Sequence, residues 1–94
     1  MIRVVYRWEV APGSETAFRA WWHQGTLAVR RDRSGAHGSV LLRTPDDPSS
    51  FVAVARWRST ADLEAFWASG GKAFPDATLV SAEILDELDD LEVR

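Results

Sequence analysis

Val5-Tyr6-Arg7-Trp8 returns as Val54-Ala55-Arg56-Trp57, and Phe18-x-x-Trp21-Trp22-x-x-Gly25 returns as Leu63-x-x-Phe66-Trp67-x-x-Gly70. The first motif comes back 49 positions on (5 to 54) and the second 45 positions on (18 to 63), so a strand-then-helix order occurs twice, with the second connection four residues shorter. Two βαβ halves in one chain predict the ferredoxin-like split, βαββαβ. Its architecture is α+β: one four-stranded antiparallel sheet with both helices on one face.

Working outward, Ile2, Val4, Tyr6, Trp8 and Val10 alternate with Arg3, Val5, Arg7 and Glu9, the period of two of a strand with one buried face over residues 2–10. Pro12-Gly13 ends it, and Ser14 reads as a helix N-cap with Glu15 in the first turn. At 100° per residue Phe18, Trp21, Trp22, Gly25 and Val29 share one face of that helix, while Arg19, His23 and Arg30 fall on the opposite flank. Gly35 to Gly38 mark a loop. Residues 39–43 read as a second strand, 44–48 as a turn carrying Asp46-Asp47 between two prolines, and 51–58 as a third strand. Ser59 with Asp62 approximates a capping box for a short helix whose Leu63, Phe66 and Trp67 share a face up to Gly70-Gly71. Residues 72–77 form a broken connection, 78–88 a fourth strand and 89–94 a tail.

The 94 residues allow one domain, 1–94, with a folded surface of roughly 5,400 Å² by size scaling. A composition that is 46% hydrophobic and 27% charged is that of a globular chain. No apolar run approaches a membrane span and the first residues lack a signal-like apolar stretch, so the expected location is cytoplasmic, away from membranes. With no Cys and two His, disulfides, zinc, iron–sulfur clusters and thiol nucleophiles are excluded, and no cofactor is expected. The net charge of −3 divides unevenly: residues 1–58 hold nine Arg against five acids, residues 59–94 two cations against nine acids. An acidic chain without a long basic run excludes nucleic acid as partner.

Two helices leave the other face of the sheet bare, with Val5, Val52 and Val54 interspersed among Arg3, Arg7, Arg56 and Arg58. A second copy stacked on it buries the valines and sets the arginines against Glu83, Glu87 or the acidic tail, so a homodimer through the sheet face is expected. Between sheet and helices, Trp8, Trp22, Trp57 and Trp67 come near one another and can frame a hydrophobic pocket for a small aromatic ligand. Tyr6, the single Tyr, lies on the apolar face of a central strand, where a phenol must find a partner. His37, at a loop–strand boundary, is a candidate for the pocket mouth, and His23 belongs to a solvated flank. Glu83 and Asp86, three apart on a strand, point to opposite faces and make no acid–base pair.

Four stretches in this order, Val4-Val5-Tyr6-Arg7-Trp8 leading to Pro12-Gly13, His37-Gly38-Ser39-Val40-Leu41-Leu42-Arg43, Val54-Ala55-Arg56-Trp57-Arg58-Ser59, and a helix carrying Phe66-Trp67, resemble the antibiotic biosynthesis monooxygenase family of dimeric α/β barrels. The resemblance implies small homodimers, of which the characterised ones oxidise aromatic polyketides without metal or flavin, or degrade haem. It implies a cofactor-independent monooxygenase. Trp57 matches a pocket tryptophan of the polyketide-oxidising relatives, whose pocket asparagine has no counterpart because the chain contains no Asn. Haem-degrading relatives place an asparagine on the first strand and a histidine just after the second helix; here the strand offers Tyr6 and Arg7, and 72–76 holds no His. The candidate site is thus Trp57 and Tyr6 as catalytic residues, with Trp8, Trp22, Phe66, Trp67 and His37 around the substrate. A non-enzymatic ligand- or partner-binding module of the same fold is the alternative.

Overall fold

The alternation of the first ten residues and the four segments after it fold into β1 (Ile2–Val10), α1 (Glu15–Asp32), β2 (Ala36–Arg43), β3 (Ser50–Trp57), α2 (Thr60–Ala68) and β4 (Ala77–Asp86). The structure is a computed structural model describing residues 1–70 and 73–92; Gly71, Lys72 and the last two tail residues lie outside it. The strands are ordered β2-β3-β1-β4 and every neighbouring pair is antiparallel. This is the βαββαβ ferredoxin-like arrangement the internal repeat predicts.

Three local readings change. β2 starts at Ala36, not Ser39, because Ala36 already pairs with Trp57; the register then shifts before Ser39, where Gly38 takes a φ of 105° that favours glycine. β4 ends at Asp86, short of the expected residue 88, with one last backbone bond beyond it from the Glu87 N–H to the Met1 carbonyl at 3.1 Å. Ser14 stands at the N-cap position of α1, but its hydroxyl bonds Asp76 Oδ2 at 3.2 Å and caps nothing. Ser59 does cap α2: its Oγ accepts from the Asp62 N–H at 3.2 Å and donates to Asp62 Oδ2 at 3.0 Å.

The core on the helix side of the sheet is divided. Trp8, Val10, Phe18 and Phe51 form one cluster, in which the wholly buried Phe18 ring lies 5.1 Å from Phe51 and 5.6 Å from Trp8. Ile2, Val4, Ala55, Trp57 and Leu63 form the other. Tyr6 packs against both clusters. Its neighbours across the sheet are Ala53 on β3 and Ala82 on β4, so the middle of the sheet is floored by small side chains.

On the opposite face the register sets Arg3 directly against Arg56, a like-charge pair that is unfavourable unless a counter-charge is supplied. The chain's own tail supplies it. Glu87 accepts from Arg3 Nε at 2.7 Å and from Arg56 Nη2 at 2.7 Å, and Asp90 comes within 3.4 Å of Arg3. The acidic tail therefore neutralises the arginines within one chain, whereas the sequence had suggested a partner copy. These bonds, Arg56 foremost, hold the Glu87 carboxyl down to about 2.

Candidate functional site

Small residues beneath and large ones around create a cavity of about 450 Å³ between the sheet and the two helices. Ala53, Ala55 and Ala82 lie along its floor, and Trp22, Gly25 and Val29 of α1 form one wall. Phe66 and Trp67 of α2 form the other. Two pairs stiffen the α2 side. The Trp57 ring stacks on Phe66 with centroids 5.5 Å apart and planes 29° apart. The Trp67 indole donates from Nε1 to the Tyr6 Oη at 3.0 Å, tying α2 to β1.

That bond decides what Tyr6 can do. The phenol oxygen accepts from Trp67, while among the described residues its own proton is given to no acceptor, so it remains available to whatever enters the cavity. Burial pushes the phenol's pKa above its ordinary value, an effect the Trp67 hydrogen bond partly opposes, so Tyr6 is protonated at neutral pH. It is a donor rather than a base. No Asp, Glu or His is among the described residues lining the cavity, which leaves donation and desolvation as the chemistry available. Trp8 also lines it, but the Trp8 Nε1 is sealed off without an acceptor, with the Trp21 ring edge-on at 5.9 Å.

The structure brings six of the seven sequence-selected residues to one place: Tyr6, Trp8, Trp22, Trp57, Phe66 and Trp67 all line the cavity. His37 does not join them. It is exposed, and it is its neighbours Ala36 and Gly38 that reach the lining. Sequence reasoning missed Trp21, Thr26, Ser39 and Arg30. Arg30 was placed on the far flank of α1 by its wheel angle, yet it borders the cavity beside Thr26, the residue one turn before it. Ser39 was missed with the start of β2. Its Oγ donates to the Val54 carbonyl at 3.2 Å.

The sequence matches the antibiotic biosynthesis monooxygenase family over residues 1–71. The chain belongs to that family. Among solved structures of this fold, the haem degrader MhuD of Mycobacterium tuberculosis, with two haems bound in its active site, is similar at a TM-score of 0.78 and 21% identity, over 98% of this chain and 100% of that one. SnoaB of Streptomyces nogalater, a cofactor-independent oxygenase, is similar at a TM-score of 0.75 and 19% identity, over 96% of this chain and 95% of that one. No curated protein sequence matches this chain. Among the described residues of this monooxygenase-family member, no helix is long and apolar enough to cross a membrane, and no group of three or more His, Cys, Asp or Glu is placed to hold a metal ion.

Proposed function

We propose that the chain, residues 1–94 acting as one unit, is a cofactor-independent monooxygenase for a planar aromatic substrate of the anthrone or naphthol type. The observation that carries this reading is the Tyr6 hydroxyl, fixed by Trp67 and with its proton unspent inside an apolar cavity. About 450 Å³ is within the range of roughly 300–1,000 Å³ typical of small-molecule sites. With no carboxylate or imidazole in the described lining, the substrate must be acidic enough to ionise through stabilisation of its oxyanion alone, which an anthrone enol or a naphthol is. The balance needs no second reductant. The anthrone CH₂, or the naphthol O–H, loses a proton to water, the resulting enolate or naphtholate passes one electron to O₂, and the radical and superoxide combine at a C–H carbon of the ring to a peroxide. Once protonated, that peroxide loses water to leave C=O. Tyr6 donates to the enolate oxygen, and the indole of Trp57 lies alongside the ring. SnoaB's description as a cofactor-independent oxygenase supports the reaction class. Haem fits less well: both His23 and His37 are exposed and outside the lining, so no imidazole is offered to its iron, and the phenol is held protonated.

The test is aerobic turnover of a panel of anthrones and naphthols, without flavin or NADPH, following O₂ uptake and quinone formation. Stoichiometric uptake, lost far more in Trp57→Phe than in Trp21→Phe, supports the enzyme. Saturable quenching of Trp fluorescence with no O₂ uptake across the panel refutes it and favours the binding module.

We further propose that the working form is a homodimer through the outer sheet face. Val40, Leu42 and Leu85 are exposed there, and the accessible surface of 6176 Å² exceeds the roughly 5,400 Å² expected of a chain this size. Light scattering at micromolar concentration gives twice the 10.5 kDa chain mass, and Val54→Asp gives the single chain; a monomeric wild type refutes it.

A further inference from the structure

The charges around the cavity are one-sided. Its described lining holds two cations, Arg30 and Arg56, and no anion. Arg56 is committed elsewhere, with Nε and Nη2 both bonded to Glu87. Arg30 forms no ion pair among the described residues. One turn further along, Arg33 spans the ends of the two helices: its Nη2 donates to Ser69 Oγ at 2.7 Å, and its guanidinium carbon lies 5.6 Å from the centroid of Phe66, which lines the cavity. Arg33 likewise faces no carboxylate among the described residues. The third cation of this helix end, Arg31, is matched by Asp32 at 2.8 Å.

Cations at a helix C-terminus offset the dipole, and Arg31 together with the backbone cap at Arg33 already serves that purpose here. A guanidinium that borders a hydrophobic cavity without a counter-ion is a site for an anionic group, because a carboxylate takes two parallel N–H bonds from it and the neighbouring apolar surface excludes competing water. The cavity thus offers two kinds of chemistry: a neutral hydroxyl donor at Tyr6, and positive charge at Arg30 in its lining, with Arg33 nearby against Phe66.

We propose that the ligand of this cavity is an aromatic acid, its ring between Trp22, Trp57 and Phe66, its phenolic or enolic oxygen at Tyr6 Oη, and its carboxylate at Arg30 and Arg33. This rests on the reading of the cavity as a substrate site and narrows the substrate to an anion carrying its charge away from the reacting carbon.

The experiment compares 2-naphthol with 6-hydroxy-2-naphthoate, whose hydroxyl and carboxylate stand at opposite ends of the ring system, by Trp fluorescence quenching in wild type, Arg30→Gln and Arg30→Lys. The expected result is that wild type binds the acid about tenfold more tightly than the naphthol at low salt. That preference shrinks as ionic strength rises past about 0.1 M, where the Debye length is about 10 Å. Arg30→Gln weakens the acid several-fold and leaves the naphthol unchanged, while Arg30→Lys keeps most of the preference. Equal affinities in wild type, or equal losses for both ligands in Arg30→Gln, overturn the anion site and leave the cavity reading standing. Failure of both ligands to bind wild type removes the cavity reading and this inference with it. Arg30 is exposed, so its variants fold, and circular dichroism checks this.

Discussion

Replacing Tyr6 with Phe removes one oxygen and nothing else, which makes it the sharpest test of the site. In the folded protein the loss is the acceptor of the Trp67 indole at 3.0 Å. Trp67 is 37% exposed, so its N–H can turn to water, and the net cost falls at the low end of the range for a single hydrogen bond, about 0.5–1 kcal/mol. Among the described residues the phenol's own proton has no acceptor, so its removal also relieves a desolvated group and reduces the cost further. For a domain of this length that is a fall in Tm of no more than about 8 °C. In turnover the loss is of a different size. Removing one oriented donor to an oxyanion costs about 10²–10³ in kcat, roughly 2.7–4 kcal/mol of transition-state stabilisation. The reasoning therefore predicts a large kinetic effect on a nearly intact fold, read by thermal melts beside O₂-electrode kinetics at saturating substrate. A Tyr6→Phe enzyme whose kcat stays within about twofold of wild type refutes the donor role, because an effect of about 0.4 kcal/mol is below what even one ordinary hydrogen bond contributes. A collapse of Tm with activity lost in proportion refutes it too, by making Tyr6 a structural residue.

Tyr6 is the single tyrosine, so its phenolate absorbance titrates this one group: the folded midpoint lies above the ordinary 10.0, and Trp67→Phe raises it further by removing the bond that opposes burial. Because that folded value is raised, the stability it reflects is intact below pH 10.0 and is lost as pH climbs through the folded midpoint, which urea melts across the alkaline range detect. Glu87 has the opposite sign: depressed to about 2 from 4.5, it contributes stability that is present above pH 4.5 and lost as pH falls toward 2. Glu87→Gln leaves Arg3 facing Arg56 without a counter-charge, so it melts lower at neutral pH and loses that acid-sensitive step. Phe18→Ala empties a wholly buried site among four aromatic rings and costs about 3–5 kcal/mol, measured as a lower urea midpoint at unchanged slope.

Much of the fold was legible because it is written twice. The doubled Arg-Trp strand motif and doubled aromatic helix motif fixed the element order, and the alternation from Ile2 to Val10 fixed which side of β1 is buried. The capping of α2 was readable from Ser59 and Asp62, since the donor and acceptor both lie within one turn. What was not readable depended on partners far away in sequence. Ser14 turned from its own helix to Asp76, and Ala36 joined β2 because Trp57 lay opposite, neither of which a local pattern encodes. The same holds for the site. The six aromatic residues singled out from the sequence line one cavity, but that Trp67 reaches Tyr6 follows from how α2 crosses β1. Arg30 borders the cavity beside Thr26 because the lining extends further round α1 than its apolar face, which a helical wheel drawn from hydrophobicity does not show.

The placing of small residues is as informative as the placing of aromatic ones. A chain of 94 residues has little apolar surface to spare, and the simplest way to strengthen it is to fill the space above the central strands. Instead Tyr6 is flanked by Ala53 and Ala82, Val4 by Ala55, and Gly25 is the buried residue of α1 that faces the opening. Each of these keeps volume out of the middle of the domain, while the heavier rings are displaced to the rim, where they pair with one another. Trp57 leans on Phe66 and Trp67 bonds Tyr6, so the walls are held by contacts among themselves and not by a filled centre. A wall supported in that way keeps its shape when the cavity is empty, and the entropy of ordering those side chains is already lost before a ligand arrives. The divided core is thus the structural cause of the site, and Tyr6, the residue that touches both halves, is where the cavity meets a hydroxyl held in place by Trp67.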